Sequence, residues 1–215
     1  MMSSKAPSDI RKQVESGIFS LKQGGIVAFP TDTVYGLGAC ININQAVERI
    51  YHIKERPLNM ALPLLLANSS QISEVAEPVP PIAWLLADKF LPGALTIVLH
   101  KSKAVPDIIT AGGMTVAIRI PAHPVTVALI EGIGTPLVGT SANLSGRPSA
   151  LTAEEVCSQF GDKIDLVIDG GRCPGGKEST IVDVTQEIPV VLREGAILKE
   201  ELKQVCGNIS SMEGG

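Results

Sequence analysis

The sequence predicts an α/β fold: a single open domain with a twisted sheet of mixed parallel and antiparallel strands, flanked by helices. Three observations lead there. Short apolar runs bounded by proline and glycine alternate with segments of helical period early in the chain, and follow one another more closely late in it. No internal repeat, charge block or long Pro/Gly/Ser linker divides the 215 residues, a length that suits one large domain. With 45% apolar but only 3% aromatic residues, aliphatic side chains must build the core.

The elements follow in order. Ser8 is the expected cap of a first helix, with Ile10, Val14, Ile18 and Leu21 on its apolar face and Gly24-Gly25 as its stop. Ile26 to Phe29 reads as a buried strand. Asn44 is the expected cap of a second helix, with Val47, Ile50 and Tyr51 on one face, which puts Lys54 and Arg56 at or just past its last turn. Leu62 to Leu66 is the next buried strand. Pro80-Pro81 opens a helix carrying Ile82, Leu85, Leu86 and Phe90, and Pro92-Gly93 closes it. Ala94 to Leu99 is strand-like. Thr115 to Ile120 alternates, with Val116, Ile118 and Ile120 facing one way and Thr115, Ala117 and Arg119 the other. A helix at Val125 to Ile130, a strand at Pro136 to Thr140 and a helix at Thr152 to Phe160 come next. Leu166 to Ile168, Thr180 to Val184 and Val190 to Arg193 complete the strands. Glu200 to Val205 forms a last short helix, so the domain is expected over residues 1–206 and a frayed, disordered tail over residues 207–215.

Composition narrows the class of protein. The longest apolar run, near Ala61 to Ala67, is too short to span a bilayer. The N-terminus has no apolar signal core and Asp9 argues against a transit peptide, so the expected location is cytoplasmic, or an organelle if a presequence has been removed. Cys40, Cys157, Cys173 and Cys206 show no C-x-x-C spacing, and with only His52, His100 and His123 beside them they read as free thiols rather than disulfides or zinc ligands. A net charge of −4 speaks against a broad nucleic-acid surface while leaving room for a local basic pocket.

The chemistry concentrates in a few strings. In Phe29-Pro30-Thr31-Asp32-Thr33-Val34-Tyr35-Gly36-Leu37-Gly38 an apolar strand stops at proline, and small hydroxyl and acid side chains follow at the strand end, where α/β folds place ligands. The two glycines allow a tight turn or a close backbone approach. Thr140-Ser141-Ala142-Asn143-Leu144-Ser145-Gly146 offers hydroxyls, an amide and backbone N–H groups suited to phosphate or carboxylate. Gly171 to Lys177 matches the start of a P-loop, but Glu178 stands where a magnesium-holding Ser or Thr is required, and the strand-like Thr180 to Val184 follows instead of a helix. The P-loop reading fails; a flexible glycine loop delivering Ser179 to a pocket remains. Arg119 shares a strand face with Thr115, about 13 Å away along the strand, so the two can reach opposite ends of one extended ligand. Against that stands an edge-strand arginine paired with a surface acid. Lys54-Glu55-Arg56 has a plainer reading as a solvated helix end. No Ser-His-Asp or Cys-His order, H-E-x-x-H or paired-carboxylate motif is present, so binding and electrostatic catalysis are expected rather than a covalent enzyme intermediate.

Taken together, these segments resemble the threonylcarbamoyl-AMP synthase family (YrdC domain). The matching pieces are Pro30 to Gly38, Lys54-Glu55-Arg56-Pro57, Leu91 to Thr96, Val116 to Pro121, Ser141 to Gly146, Glu178 to Asp183 and Leu192-Arg193-Glu194-Gly195, all in the family's order across roughly residues 15 to 198. The resemblance implies a YrdC-like open α/β domain with a positively lined cleft. It implies the reaction of L-threonine, bicarbonate and ATP to threonylcarbamoyl-AMP and pyrophosphate, with Mg2+ accompanying ATP and a separate threonylcarbamoyl-transferase machinery then modifying tRNA. It places Thr33, Arg119, Ser141 and Ser179 around threonine, and Lys54, Arg56, Thr115, Asn143 and Arg193 on the ATP side. Lys54 and Arg56 take the catalytic part of neutralising the triphosphate, Arg119 grips the threonine carboxylate through its planar fork, and no protein side chain is assigned to metal.

Two features depart from the family pattern. Ala61 stands where a proline is expected after K-x-R-P, and Met60 replaces a polar residue often found beside the nucleotide. The extra C-terminal domain of some longer relatives has no counterpart in this sequence, so closure of the cleft is expected from loops. The alternative from another class is an RNA-binding module that uses the basic cleft without adenylate synthesis; scarce aromatics and negative net charge weigh against it, leaving at most a weak RNA contact. A third reading, carbamoyl-adenylate chemistry from carbamoyl phosphate as in hydrogenase-maturation proteins, lacks the accessory acylphosphatase and zinc-finger segments.

Overall fold

A computed structural model describes residues 7–211. The first helix, α1 (Pro7–Lys22), includes Ser8, the expected cap, whose side chain lies outside what is described. Strand β1 (Val27–Phe29) turns through the hydroxyl-rich string into β2 (Gly36–Cys40). Helix α2 (Asn44–Lys54) is preceded by Ile43 without a side-chain cap, so Asn44 is its first residue rather than its cap. It ends at Glu55, whose left-handed backbone (φ 53°) turns the Arg56 N–H back onto the Tyr51 carbonyl at 2.9 Å. Then come β3 (Leu64–Leu65), a short α3 (Ile72–Val75), α4 (Pro81–Phe90), β4 (Leu95–His100) and β5 (Thr115–Arg119). Helix α5 (Pro124–Ile133), β6 (Leu137–Ser141), α6 (Ala153–Phe160), β7 (Leu166–Val167), β8 (Thr180–Asp183) and β9 (Val190–Arg193) follow. Helix α7 (Lys199–Cys206) and β10 (Ser210–Ser211) complete the described chain.

The strands form one mixed sheet in the order β10-β9-β8-β4-β5-β3-β6-β2-β1-β7. Parallel ladders join β1 to β7, β3 to β5, β4 to β8 and β9 to β10; the other neighbours are antiparallel. Residues 207–211, expected in a frayed tail, are built onto this sheet: Ile209 is buried and Ser210 donates its N–H to the Pro189 carbonyl. Residues 212–215 lie outside the described residues.

Side-chain alternation divides the core into two layers. On one face Val27, Phe29, Leu65 and Leu137 pack with α1 (Leu21) and α5 (Val125, Leu129, Ile130). On the other face Ala28, Leu37, Leu64, Val116, Ile118, Val138 and Val182 pack with α2, α4, α6 and α7. The strand Gly36–Cys40 is the main element that sequence reading leaves undrawn, because its glycines read as a turn. They serve a buried strand instead. The Phe29 ring lies across β2, and a Cβ at Gly36 or Gly38 would sit 2.6 or 2.8 Å from its carbons. Helix α4 buries Ala83, Leu86 and Ala87 and leaves Leu85 exposed, a face rotated from the one its large side chains predict. Helix α7 packs against it.

Candidate functional site

Where α1 and α5 stop covering the sheet, over β4, β5 and β8, the face is open. Leu65, Thr96, Ala117, Arg119, Gly139 and Ile181 alternate with core residues of the opposite layer and floor a cleft of about 210 Å³. Its walls come from the loops at the strand ends.

The turn after β1 is organised by Thr31. Its hydroxyl donates to the Val34 carbonyl (2.6 Å) and accepts the N–H groups of Thr33 (3.1 Å) and Val34 (3.3 Å), a local side-chain turn typical of threonine. This fixes the Thr33 hydroxyl, buried and facing the cleft, beside Arg119. Arg119 donates Nη1–H to Thr33 Oγ1 (2.8 Å), Nη2–H to Asp32 Oδ1 (2.7 Å) and Nε–H to the Gly93 carbonyl (2.9 Å). Asp32 Oδ1 also accepts the Ala122 N–H. Three of the guanidinium's five N–H groups are thereby used and two remain for a ligand. Burial lowers the Arg119 pKa from its ordinary value and Asp32 acts against that. Arg119 lies on an interior strand and is 7% exposed, which rules out the edge-strand surface pair.

The K-x-R and S-x-N strings are bolted together. Lys54 Nζ donates to the carbonyls of Ser141 and Asn143, both at 2.6 Å, and to Asn143 Oδ1 at 3.2 Å. Asn143 Oδ1 also accepts the Ser141 hydroxyl (2.6 Å), and its Nδ2 donates to the carbonyls of Leu144 and Arg147. Every ammonium proton of Lys54 is therefore committed inside the protein, and neither Lys54 nor Asn143 lines the cleft. In this structure the Lys54 charge pins the Ser141–Asn143 turn. Burial, with Arg56 acting the same way and Glu178 against, brings Lys54 from 10.5 to about 8. Arg56 does line the cleft, donating to the carbonyls of Met60 (3.1 Å) and Ala61 (2.7 Å). These contacts use backbone oxygens, so the unusual side chains at positions 60 and 61 leave them in place.

The third wall joins residues the sequence assigns to different substrates. Ser179 Oγ is 2.8 Å from Thr96 Oγ1, and Arg193 clamps the Ser179 carbonyl with Nε (3.2 Å) and Nη2 (2.9 Å). Arg193 Nη1 pairs with Glu178, whose other oxygen accepts the Ser149 hydroxyl at 2.6 Å. Burial pushes the Glu178 carboxyl up, but Ser149, Arg193, Ser141 and Lys54 outweigh it and hold it below the usual range. Gly195 makes this possible: a Cβ there would lie 2.2 Å from the Glu178 carbonyl and 2.7 Å from that of Ser179. The glycine loop closes on the site, with Gly176 donating to the Thr33 carbonyl, and leads into β8 rather than a helix, as the rejection of the P-loop requires.

The cleft thus gathers Thr33, Arg56, Arg119, Ser141, Ser179 and Arg193. Thr115 shares the face of Ala117 and Arg119 but pairs with His100 at the far end of β4 and β5, away from the lining residues. Sequence reading passes over Thr96, Ser149 and Glu178 as site residues. Thr96 carries a signal, being a hydroxyl inside the apolar run Ala94 to Leu99; Glu178 carries another, being the residue that spoils the P-loop.

Comparison with known proteins identifies relatives of this chain. The Sua5_yciO_yrdC sequence family, described as "Telomere recombination", matches residues 20–195. The chain is 45% identical over 189 residues to the threonylcarbamoyl-AMP synthase of Pyrococcus abyssi, covering 88% of this chain and 56% of that protein. It is 43% identical over 198 residues to the threonylcarbamoyl-AMP synthase of Bacillus subtilis, covering 92% and 57%. The crystal structure of P. abyssi Sua5 complexed with L-threonine superposes with a TM-score of 0.90 at 43% identity, over 92% of this chain and 58% of that one. The chain spans somewhat over half the length of these relatives.

Proposed function

This chain belongs to the Sua5/YciO/YrdC family, and on that premise we propose that it makes threonylcarbamoyl-AMP and pyrophosphate from L-threonine, bicarbonate and ATP, a nucleotidyl transfer. The observation that carries the reading is the cleft itself, where three arginines and a set of buried hydroxyls face one opening with Glu178 as the sole carboxylate among the lining residues. Such a lining suits a ligand pair rich in negative charge.

In this reading the threonine carboxylate lies on the two remaining N–H groups of Arg119, with its hydroxyl near Thr33 or Ser179. The threonine amine and bicarbonate condense to a carbamate and water. A carbamate oxygen then attacks the α-phosphorus of ATP, the bond from that phosphorus to the bridging oxygen breaks, and pyrophosphate leaves. Arg56 and Arg193 offset charge along the triphosphate, and Lys54 and Asn143 act by holding the Ser141 turn. Alignment and exclusion of water from a labile carbamate are the main contributions expected of the protein. Magnesium enters with the substrate, the triphosphate oxygens being its natural ligands. Transfer onto tRNA is assigned to other proteins. The four unpaired cysteines suit a cytoplasmic setting, and no helix of the described residues is long and apolar enough to cross a membrane.

The test is pyrophosphate release by purified protein with ATP and bicarbonate, with and without L-threonine and without tRNA. Threonine- and bicarbonate-dependent release is expected. A requirement for tRNA, or replacement of both co-substrates by carbamoyl phosphate, would overturn the reading.

A further inference from the structure

Glu178 has no part in the reaction as described, yet two separate segments hold its carboxylate. Ser149 Oγ donates to one oxygen at 2.6 Å and Arg193 Nη1 to the other. Ser141 and Lys54 also favour its charged form, while their own hydrogen bonds go to Asn143 and to the carbonyls of Ser141 and Asn143. Hydroxyls and cations arranged in this way are what a phosphate group requires, because a phosphate oxygen and a carboxylate oxygen present the same acceptor.

The distribution of charge in the cleft singles Glu178 out. Arg119 already has a counter-ion in Asp32, held rigidly by the Ala122 N–H. Arg56 donates two of its five N–H groups to backbone carbonyls. Among the ion pairs of the described residues, Arg193 has Glu178 as its carboxylate partner, and that side chain is about one-third exposed at the cleft. The backbone beneath it is fixed, since Ala196 donates to the Glu178 carbonyl at 2.9 Å and Gly195 packs against it. Release of the carboxylate therefore needs only side-chain rotation toward solvent.

We propose that Glu178 is a resident anion: it fills the subsite in which Arg193 and Ser149 take a phosphate of the nucleotide, and it must be displaced for ATP to bind. The inference rests on the reading that a nucleotide enters this cleft. A polyphosphate brings more charge than one carboxylate and wins the exchange, whereas threonine, held at Arg119, does not compete with Glu178. The return of the side chain after reaction helps expel pyrophosphate.

Titration calorimetry of wild type, Glu178→Gln and Glu178→Asp with ATP, with pyrophosphate and with L-threonine tests this, magnesium being present throughout. Glutamine keeps shape and hydrogen bonding but removes the charge, so ATP and pyrophosphate should bind about 10- to 100-fold tighter, the equivalent of one charge-assisted hydrogen bond no longer broken. L-threonine affinity should not change. Aspartate, one methylene short of spanning Ser149 and Arg193, should bind ATP with intermediate affinity. Unchanged or weaker ATP and pyrophosphate binding by Glu178→Gln would make Glu178 a brace for Ser149 and Arg193 and end the proposal. If Glu178→Gln does not fold by circular dichroism, Glu178→Asp decides alone, tighter binding supporting the proposal and equal or weaker binding overturning it. The functional reading fails separately: tighter pyrophosphate binding by the variant, with no threonine-dependent release from ATP by wild type, keeps the resident anion and removes the synthase.

Discussion

Replacing Arg119 by lysine keeps the charge and tests both roles of this side chain at once. Its three partners are met by three different nitrogens, at 2.7 to 2.9 Å, and belong to two segments of chain: Asp32 and Thr33 after β1, and Gly93 before β4. A lysine ammonium is one point. It can keep Asp32 but cannot also reach the Gly93 carbonyl on the Nε side, and its hold on Thr33 is compromised. Losing one to two hydrogen bonds from a buried cation should cost about 2–4 kcal/mol of stability. For a domain of this size that lowers the melting temperature by roughly 5–15 °C. The paired donors that match a carboxylate are lost as well, so L-threonine should bind about 10- to 100-fold more weakly, with ATP affinity changing far less. Differential scanning fluorimetry reads the first effect and calorimetry the second. Equal threonine affinity in both proteins would remove Arg119 from the carboxylate role, and an unchanged melting temperature would show that its three-way tie contributes nothing to the fold. Judged only from alternation along the strand, Arg119 is dispensable for folding; its partners make it otherwise.

Lys54 gives a pH signature. Its folded pKa of about 8 lies below the ordinary 10.5, so between these values the unfolded chain binds more protons, and the group's contribution to stability is present above 10.5 and lost as pH falls through 8. Melts of wild type and Lys54→Met should therefore diverge in favour of wild type from about pH 7 to 10.5, by at most about 3 kcal/mol; a gap that is constant or narrows contradicts the assignment. Gly195→Ala should nearly abolish activity while costing about 1–3 kcal/mol of stability, because its methyl group would push directly on the backbone of Glu178 and Ser179; a variant with wild-type turnover would show that this backbone can yield without harm to the site.

The fold class, most element positions and the strings around the cleft were legible in the sequence because they depend on local periodicity and on proline, glycine and hydroxyl residues with local meanings. Thr31 builds its turn from neighbours within three residues, and α6 begins within one residue of the expected Thr152, which is its cap. What only the tertiary structure decided is where each charge is spent. Lys54 and Arg193 look alike along the chain as cations at element ends, yet one is buried beneath the Ser141 turn with every donor used and the other faces the cleft beside a carboxylate. β2 was hidden for the same reason, since a glycine-rich strand has no side-chain pattern of its own, and its burial is set by the Phe29 ring from the neighbouring strand. Local spacing fixes which residues share a face; the partners of a buried cation come from segments about 90 residues away, and only packing brings them within reach.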